Sequence, residues 1–271
     1  MSNVKIEVFN IARTMVDREQ VRKWLDHIGA VGYEIPEGTT DPALLVALAA
    51  KRCYMSFEPG LNPNVTKVRS DLVAYLDNIL SSGHGSVLEH AVYTFAVEGV
   101  SRVFTGEMNR HRAGWAISEG SMRYIRMHDD IRWWMPTSLA ITPSDDQDLA
   151  TRKARSISVF DRAFRQMAEN YAELLMIWEM EDGHHNFGYK KRVTSCLRRI
   201  IGMGVATGGV WTGNLRSLRH VIALRSNEPT AEEEIYHVFS KIGAYMVEHE
   251  NALFGDFQNV QGSWIPDYRK V

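Results

Sequence analysis

Charged and apolar residues interleave at helical spacing from residue 144 to residue 181, and a helix this long constrains the fold more than any other segment. Further helices are expected over 15–28, from Asp41-Pro42 through LLVALAAKRCY, over 66–80, 101–112, 188–201, 214–225 and 231–253. Asp41 is expected to cap its helix and Pro42 to fill the first turn. Strands fit VKIEVFN at 4–10, AVYTFAV at 91–97 and SMRYIRM at 121–127, with the glycine-containing segment before 121 as a loop. The Gly-rich stretch 202–213 has the wrong spacing for a dinucleotide-binding turn and reads as a strand with close backbone packing. Long helices with separated strands argue for an α+β fold with an antiparallel or mixed sheet. No repeat, low-complexity run or linker divides the chain, so one domain over 1–271 is expected.

The net charge of -2 supplies no global basic field, which argues against nucleic-acid binding. Cys53 and Cys196 form no CxxC pair and suggest no disulfide framework. No signal-peptide core and no membrane-spanning run appear, so a cytoplasmic protein is expected, with no membrane partner.

The densest chemistry lies in Arg110-His111-Arg112 with Arg123 beyond a glycine-containing loop. Arginine holds phosphate through two parallel hydrogen bonds, and such a loop lets backbone N–H groups approach an anion. A solvated basic loop is the plain alternative. A second group is Arg198-Arg199. In the third, Arg216, Arg219 and His220 share a helix face at i, i+3 and i, i+4, either as a polar surface or as a grip on phosphate or cofactor. Gly83-His84-Gly85-Ser86 with Glu89-His90 forms a turn able to line a pocket. His84, Glu89 and His90 lack a usual zinc spacing, so no metal is assigned. The chain has no GxSxG elbow, P-loop or GxGxxG fingerprint.

In this order the segments resemble the flavin-dependent thymidylate synthases. Arg110-His111-Arg112 and Ser121-Met122-Arg123-Tyr124 match the two ends of that family's signature. Ala50-Lys51-Arg52-Cys53-Tyr54, Gly83-His84 with Glu89-His90, and Asn214-Leu215-Arg216-Ser217-Leu218 with His220 and Leu224-Arg225 resemble its flanking motifs. The resemblance implies FAD gripped by Cys53, His84, Ser86, Glu89, Arg110, His111, Arg112, Glu119, Asn214, Arg216 and His220. It implies a uracil nucleotide held by Glu107, Arg110, Ser121, Arg123, Arg198 and Arg225. Arg123 and Arg198 take the phosphate, and Ser121 and Arg225 stand at the reacting base. Methylenetetrahydrofolate and NADPH are the implied co-substrates, in a homotetramer with sites shared between subunits. Neither cysteine sits in an activating setting, which fits chemistry carried by a cofactor.

Two departures bear on the substrate. Eight residues (AGWAISEG) separate Arg112 from Ser121 where the family has seven, and Trp115 lies among them. Three residues before Arg110 the family usually has Gln; here Glu107 can only accept hydrogen bonds. A carboxylate suits a ribose diol, so UMP, alone or with dUMP, is one expectation. The other is that Glu107 pairs with Arg110 and the substrate stays dUMP. Hydroxymethylation of a pyrimidine nucleotide and a non-catalytic flavin or nucleotide binder remain as alternatives, and residues 130–190 have no assigned role.

Overall fold

A computed structural model describes residues 4–125, 131–181, 183–227 and 230–271. The elements run β1 (Glu7–Arg13), α1 (Arg18–His27), α2 (Asp41–Tyr54), α3 (Leu72–Ser81), β2 (Val92–Ser101), α4 (Arg102–Met108), β3 (Trp115–Glu119), α5 (Gln147–Ile177), α6 (Phe187–Leu197), β4 (Ala206–Asn214), α7 (Leu215–Arg225), α8 (Glu233–His249), α9 (Asn251–Phe254), β5 (Phe257–Val260) and β6 (Ser263–Pro266). Short 3-10 turns cover Gly85–His90, Thr137–Leu139 and Arg198–Ile200.

β1, β2, β4 and β3 form, in that order, a sheet whose neighbouring strands are all antiparallel. β2 alternates as a half-buried strand should: Tyr93, Phe95 and Val97 point into the core. They meet Leu76 and Ile79 of α3, Leu218 and Ile222 of α7, and Phe239 and Ile242 of α8. The opposite face carries the cross-strand row Phe9, Ala96 and Val210, where Phe9 is 53% exposed.

The later part of the Gly-rich stretch forms β4, as its close-packing reading expects, while 203–204 form a turn before it. Any Cβ at Gly209 would meet the Ser118 carbonyl and lie 2.8 Å from the Trp211 ring, and one at Gly213 would lie 2.8 Å from the Trp115 ring. The third strand of sequence analysis is displaced. Residues 115–119 form β3 as an edge strand on β4, while 122–124 form a turn; 126 and 127 lie outside the described residues. The α2 cap also moves by one residue. Thr40 Oγ1 accepts from the Ala43 amide at 3.4 Å, and Asp41 instead accepts from the Val16 amide at 3.0 Å.

The long helix appears as α5, 31 residues from its Asp146 cap. Its Phe164 stacks on Trp133 at 5.0 Å, and Tyr171 and Leu175 pack on Val193 and Leu197 of α6. The 147–197 hairpin therefore braces the turn that carries Arg198. Met176, Ile177, Trp178 and Phe187 remain exposed near its tip. A second, two-stranded sheet pairs β5 with β6 through a turn with positive φ at Gln261 and Gly262. Among the described residues no helix is long and apolar enough to cross a membrane.

Candidate functional site

The start of α7 and the loop before β3 are tied together by short-range capping. Asn214 Oδ1 accepts from the Ser217 amide at 2.8 Å, which closes the first turn of α7. Ser217 Oγ donates to the Ala113 carbonyl at 2.8 Å, and the Asn214 amide donates to the Gly114 carbonyl at 3.1 Å. Gly114 has φ +73, and a Cβ there would collide with Ser217 and Asn214. Glycine is thus required for the loop to lie on the helix start.

Beside this junction lies a cavity of about 630 Å³, lined by Glu89, Arg110, His111, Arg112, Trp115, Asn214, Arg216, His220 and Val271 among others. Seven of the expected cofactor residues therefore converge here: Glu89, Arg110, His111, Arg112, Asn214, Arg216 and His220. Arg216 Nη1 donates to Glu89 at 2.6 Å, which holds the guanidinium at the mouth. The N-terminus of α7 opens on the same space and adds the positive end of its dipole, its Asn214, Leu215 and Ser217 amides being already paired. Arginines, histidines and a helix start around a cavity of this size fit the diphosphate and rings of a flavin dinucleotide. Among the described residues no group of three or more His, Cys, Asp or Glu could hold a metal ion.

A half-buried polar chain runs from this cavity to the expected substrate residues. Arg225, 15% exposed, donates from Nε to His111 Nε2 at 2.9 Å and pairs through Nη1 with Glu107 at 3.2 Å. Glu107 also pairs with Arg110 at 3.2 Å. The expected i, i+3 pair is present, with Arg225 as a second partner not foreseen from spacing. The His111 pKa is lowered, first by burial and then by the neighbouring Arg225 and His220.

Other expected residues lie elsewhere. Arg219 does not share the outward face with Arg216 and His220: it is 4% exposed and makes paired contacts of 2.7 Å to both oxygens of Asp256. Helical spacing could not reveal this, because Asp256 is 37 residues away. Glu119 is held by Arg102, which also donates to the Gly120 carbonyl, and it does not line the cavity. His84 stacks on Tyr54 at 5.9 Å and borders a separate cavity with Lys51 and Arg69. Cys53 and Ser86 are exposed and line neither cavity. Among the described residues no hydrogen bond or ion pair joins Ser121, Arg123 or Arg198 to the Arg225 chain; Ser121 Oγ accepts only from the Arg123 amide, at 3.4 Å. Trp115 both lines the cavity and packs edge-on against Phe239 at 6.2 Å. Arg102 and Val271 escaped sequence analysis, since neither belongs to a motif.

The family model described as thymidylate synthase complementing protein matches residues 35–249. The flavin-dependent thymidylate synthase of Mycolicibacterium vanbaalenii is 31% identical over 223 residues, 80% of each chain. That of Geobacter sulfurreducens is 34% identical over 192 residues, 70% of this chain and 71% of the relative. Among solved structures, the UMP/dUMP methylase PolB from Streptomyces cacaoi, bound with 5-Br dUMP, superposes with a TM-score of 0.63 at 18% identity, covering 93% of this chain and 94% of that one. Thymidylate Synthase X from Helicobacter pylori, with FAD and dUMP, gives 0.53 at 19%, covering 93% and 98%. The two structures share the fold, an α+β arrangement of long helices on an antiparallel sheet. The matched span, the identity of the relatives and the arginine-histidine site agree: this chain is an enzyme of the flavin-dependent thymidylate synthase family.

Proposed function

We propose that this enzyme methylates C5 of a uracil nucleotide, UMP and/or dUMP, with methylenetetrahydrofolate as one-carbon donor and NADPH as reductant, in the cytoplasm. The observation that carries the reading is the continuous chain from the cavity to Glu107: Arg216 and His220 on its wall, then His111, Arg225 and Glu107. Arg110, Arg112, Arg216 and His220 would hold FAD, with Asn214 fixing the helix start against it. When bound, the flavin supplies the hydride that converts the transferred one-carbon group to methyl.

The residues of the chain bind, orient and polarise. Arg225 is aimed by His111 and Glu107, so its guanidinium is preorganised before substrate arrives. Placed at a uracil carbonyl, it stabilises the negative charge that makes C5 nucleophilic. Arg123 and Arg198 suit the phosphate, and Ser121 lies next to Arg123 in the turn. Among the described residues no hydrogen bond or ion pair joins them to Arg225 within one chain, which suits a site shared between subunits of a homotetramer. The exposed Phe9–Val210 face and the apolar tip of the α5–α6 hairpin offer surface for such contacts. As a whole, residues 1–271 are read as one domain.

The test is to purify the protein, record its visible spectrum, and assay UMP and dUMP with methylenetetrahydrofolate and NADPH, reading the product by mass. A flavin spectrum and a gain of one methyl group are expected. A preparation that cannot be loaded with FAD and gives no product overturns the reading, and a hydroxymethyl product replaces it with the alternative chemistry. Mixing Arg225→Ala with Arg123→Ala should restore activity if the site is shared; no recovery after subunit exchange argues for a site within one chain.

A further inference from the structure

Residues 267–271 lie beyond the matched family span and cross the face of the molecule that the flavin needs. The segment is anchored at Tyr268, whose hydroxyl donates to Asp77 at 2.8 Å and whose amide donates to Asp256 at 3.2 Å. Arg219 adds a contact to the Tyr268 carbonyl at 3.4 Å. Beyond this anchor the backbone runs over the Gly83–Gly85 turn. A Cβ at Gly83 would lie 2.8 Å from the Lys270 carbonyl oxygen, and one at Gly85 would overlap the Val271 backbone. The two glycines therefore form a cradle that is filled by peptide.

The same segment takes up a donor of the cavity. Arg216 Nε donates to the Val271 carbonyl at 3.3 Å, while its Nη1 is held by Glu89. Val271 and His220 form part of the wall between the 630 Å³ cavity and a neighbouring one of about 280 Å³. A carbonyl oxygen on an arginine N–H, laid over a glycine turn, presents the acceptor that a phosphate oxygen presents there. Among the described residues this is the only hydrogen bond from 269–271 to the rest of the protein; Arg269 and Lys270 are exposed, and Val271 adds half-buried packing against the core that displacement must give up.

We infer that residues 269–271 are a displaceable plug at the wall of the flavin cavity, competing with FAD for Arg216. The inference rests on the reading of this cavity as a flavin site. Tyr268 is the hinge, and Arg269 and Lys270, both exposed, bring positive charge that draws an anionic cofactor toward the closed cradle.

The test compares FAD binding to the full chain and to a chain ending at Tyr268, both stripped of flavin, by quenching of flavin fluorescence. A protein whose competent state is only a fraction of the population binds with its affinity reduced by that fraction. The shortened chain should bind FAD about tenfold more tightly, which corresponds to about 1.4 kcal/mol. Equal or weaker binding overturns the plug. In the full chain, saturating FAD should speed tryptic cleavage after Arg269 and Lys270, read by intact mass, since the released backbone can enter the protease. A segment that stays equally resistant, or becomes more so, overturns the plug while leaving the flavin site intact. Failure of both chains to bind FAD overturns the functional reading and the plug with it.

Discussion

Arg225 donates from Nε to Nε2 of His111 at 2.9 Å, so the imidazole keeps its proton on Nδ1 and is neutral. Burial, and then Arg225 and His220, lower its pKa below 6.5 and favour that form. Protonation of His111 would turn the acceptor into a donor and push Arg225 away. The kcat/KM for the nucleotide should therefore show an acid limb below pH 6.5 under saturating flavin. His111→Gln keeps an acceptor that does not titrate, and the limb should flatten; an unchanged limb would assign it to another group.

Arg225→Ala removes the group aimed at the base but leaves Arg110, Arg112, Arg216 and His220 on the cavity. Turnover should fall by at least about a hundredfold, the effect of losing one preorganised donor to a developing charge. Flavin content should stay within about twofold, given the intact cavity. Equal losses in both, measured by absorbance and steady-state rate, would make Arg225 a cofactor residue instead.

The Glu107 prediction separates sugar from arginine. If its carboxylate accepts from a ribose 2′-hydroxyl, Glu107→Gln should lower kcat/KM for UMP relative to dUMP by about tenfold, within the range expected for a lost polar contact. If Glu107 serves only to hold Arg110 and Arg225, both substrates should suffer alike. Competition between UMP and dUMP in one reaction reads the ratio directly.

Sequence alone made legible the long helix, the central strand β2 and the motif residues that converge on one cavity. These depend on short-range periodicity and on motifs whose members lie within one turn of each other. β3 was missed because Trp115–Glu119 is a five-residue edge strand defined by its pairing with β4, a long-range event. The inward turn of Arg219 was missed for the same reason, since its reason for burial is Asp256 on a different element. Val271 beside Arg216 leaves no trace in local pattern at all. The departures noted in the sequence had physical content: Trp115 is a cavity wall, and Glu107 is the link between two arginines.

Glu234 gives the fold a pH dependence. It is buried, accepts from the Ser101 amide and contacts Ser101 Oγ at 2.5 Å, and burial pushes its pKa up to about 7. The folded state thus holds a proton that the unfolded state releases near 4.5, so stability from this group is present at low pH and lost as pH rises toward 7. Glu234→Gln mimics the protonated form, with its amide oxygen toward the Ser101 amide and its nitrogen toward Oγ. Urea midpoints should become less dependent on pH between 4.5 and 7, and stability at pH 7 should rise by about 1–3 kcal/mol. A variant with an unchanged pH slope would show that another group carries the dependence.

Asp256→Ala leaves the Arg219 guanidinium buried without its partner. Such a change costs about 3–5 kcal/mol and should lower Tm by about 6–15 °C for a chain of this size. Differential scanning calorimetry decides it; a shift below a few degrees would mean that Arg219 finds other acceptors, such as the Leu253 carbonyl it already contacts.

The closed surface of β4 also restricts how this gene can change. Any amino-acid substitution at a glycine introduces a Cβ. At Gly213 that atom meets an aromatic ring, and at Gly209 it meets the neighbouring strand's backbone. The first obstacle can be cleared beforehand by a smaller residue at 115; the second cannot be cleared by any side-chain change. Mutational paths through this strand are therefore ordered at one position and closed at the other, so saturation libraries will return functional variants at 213 only on a background already altered at Trp115.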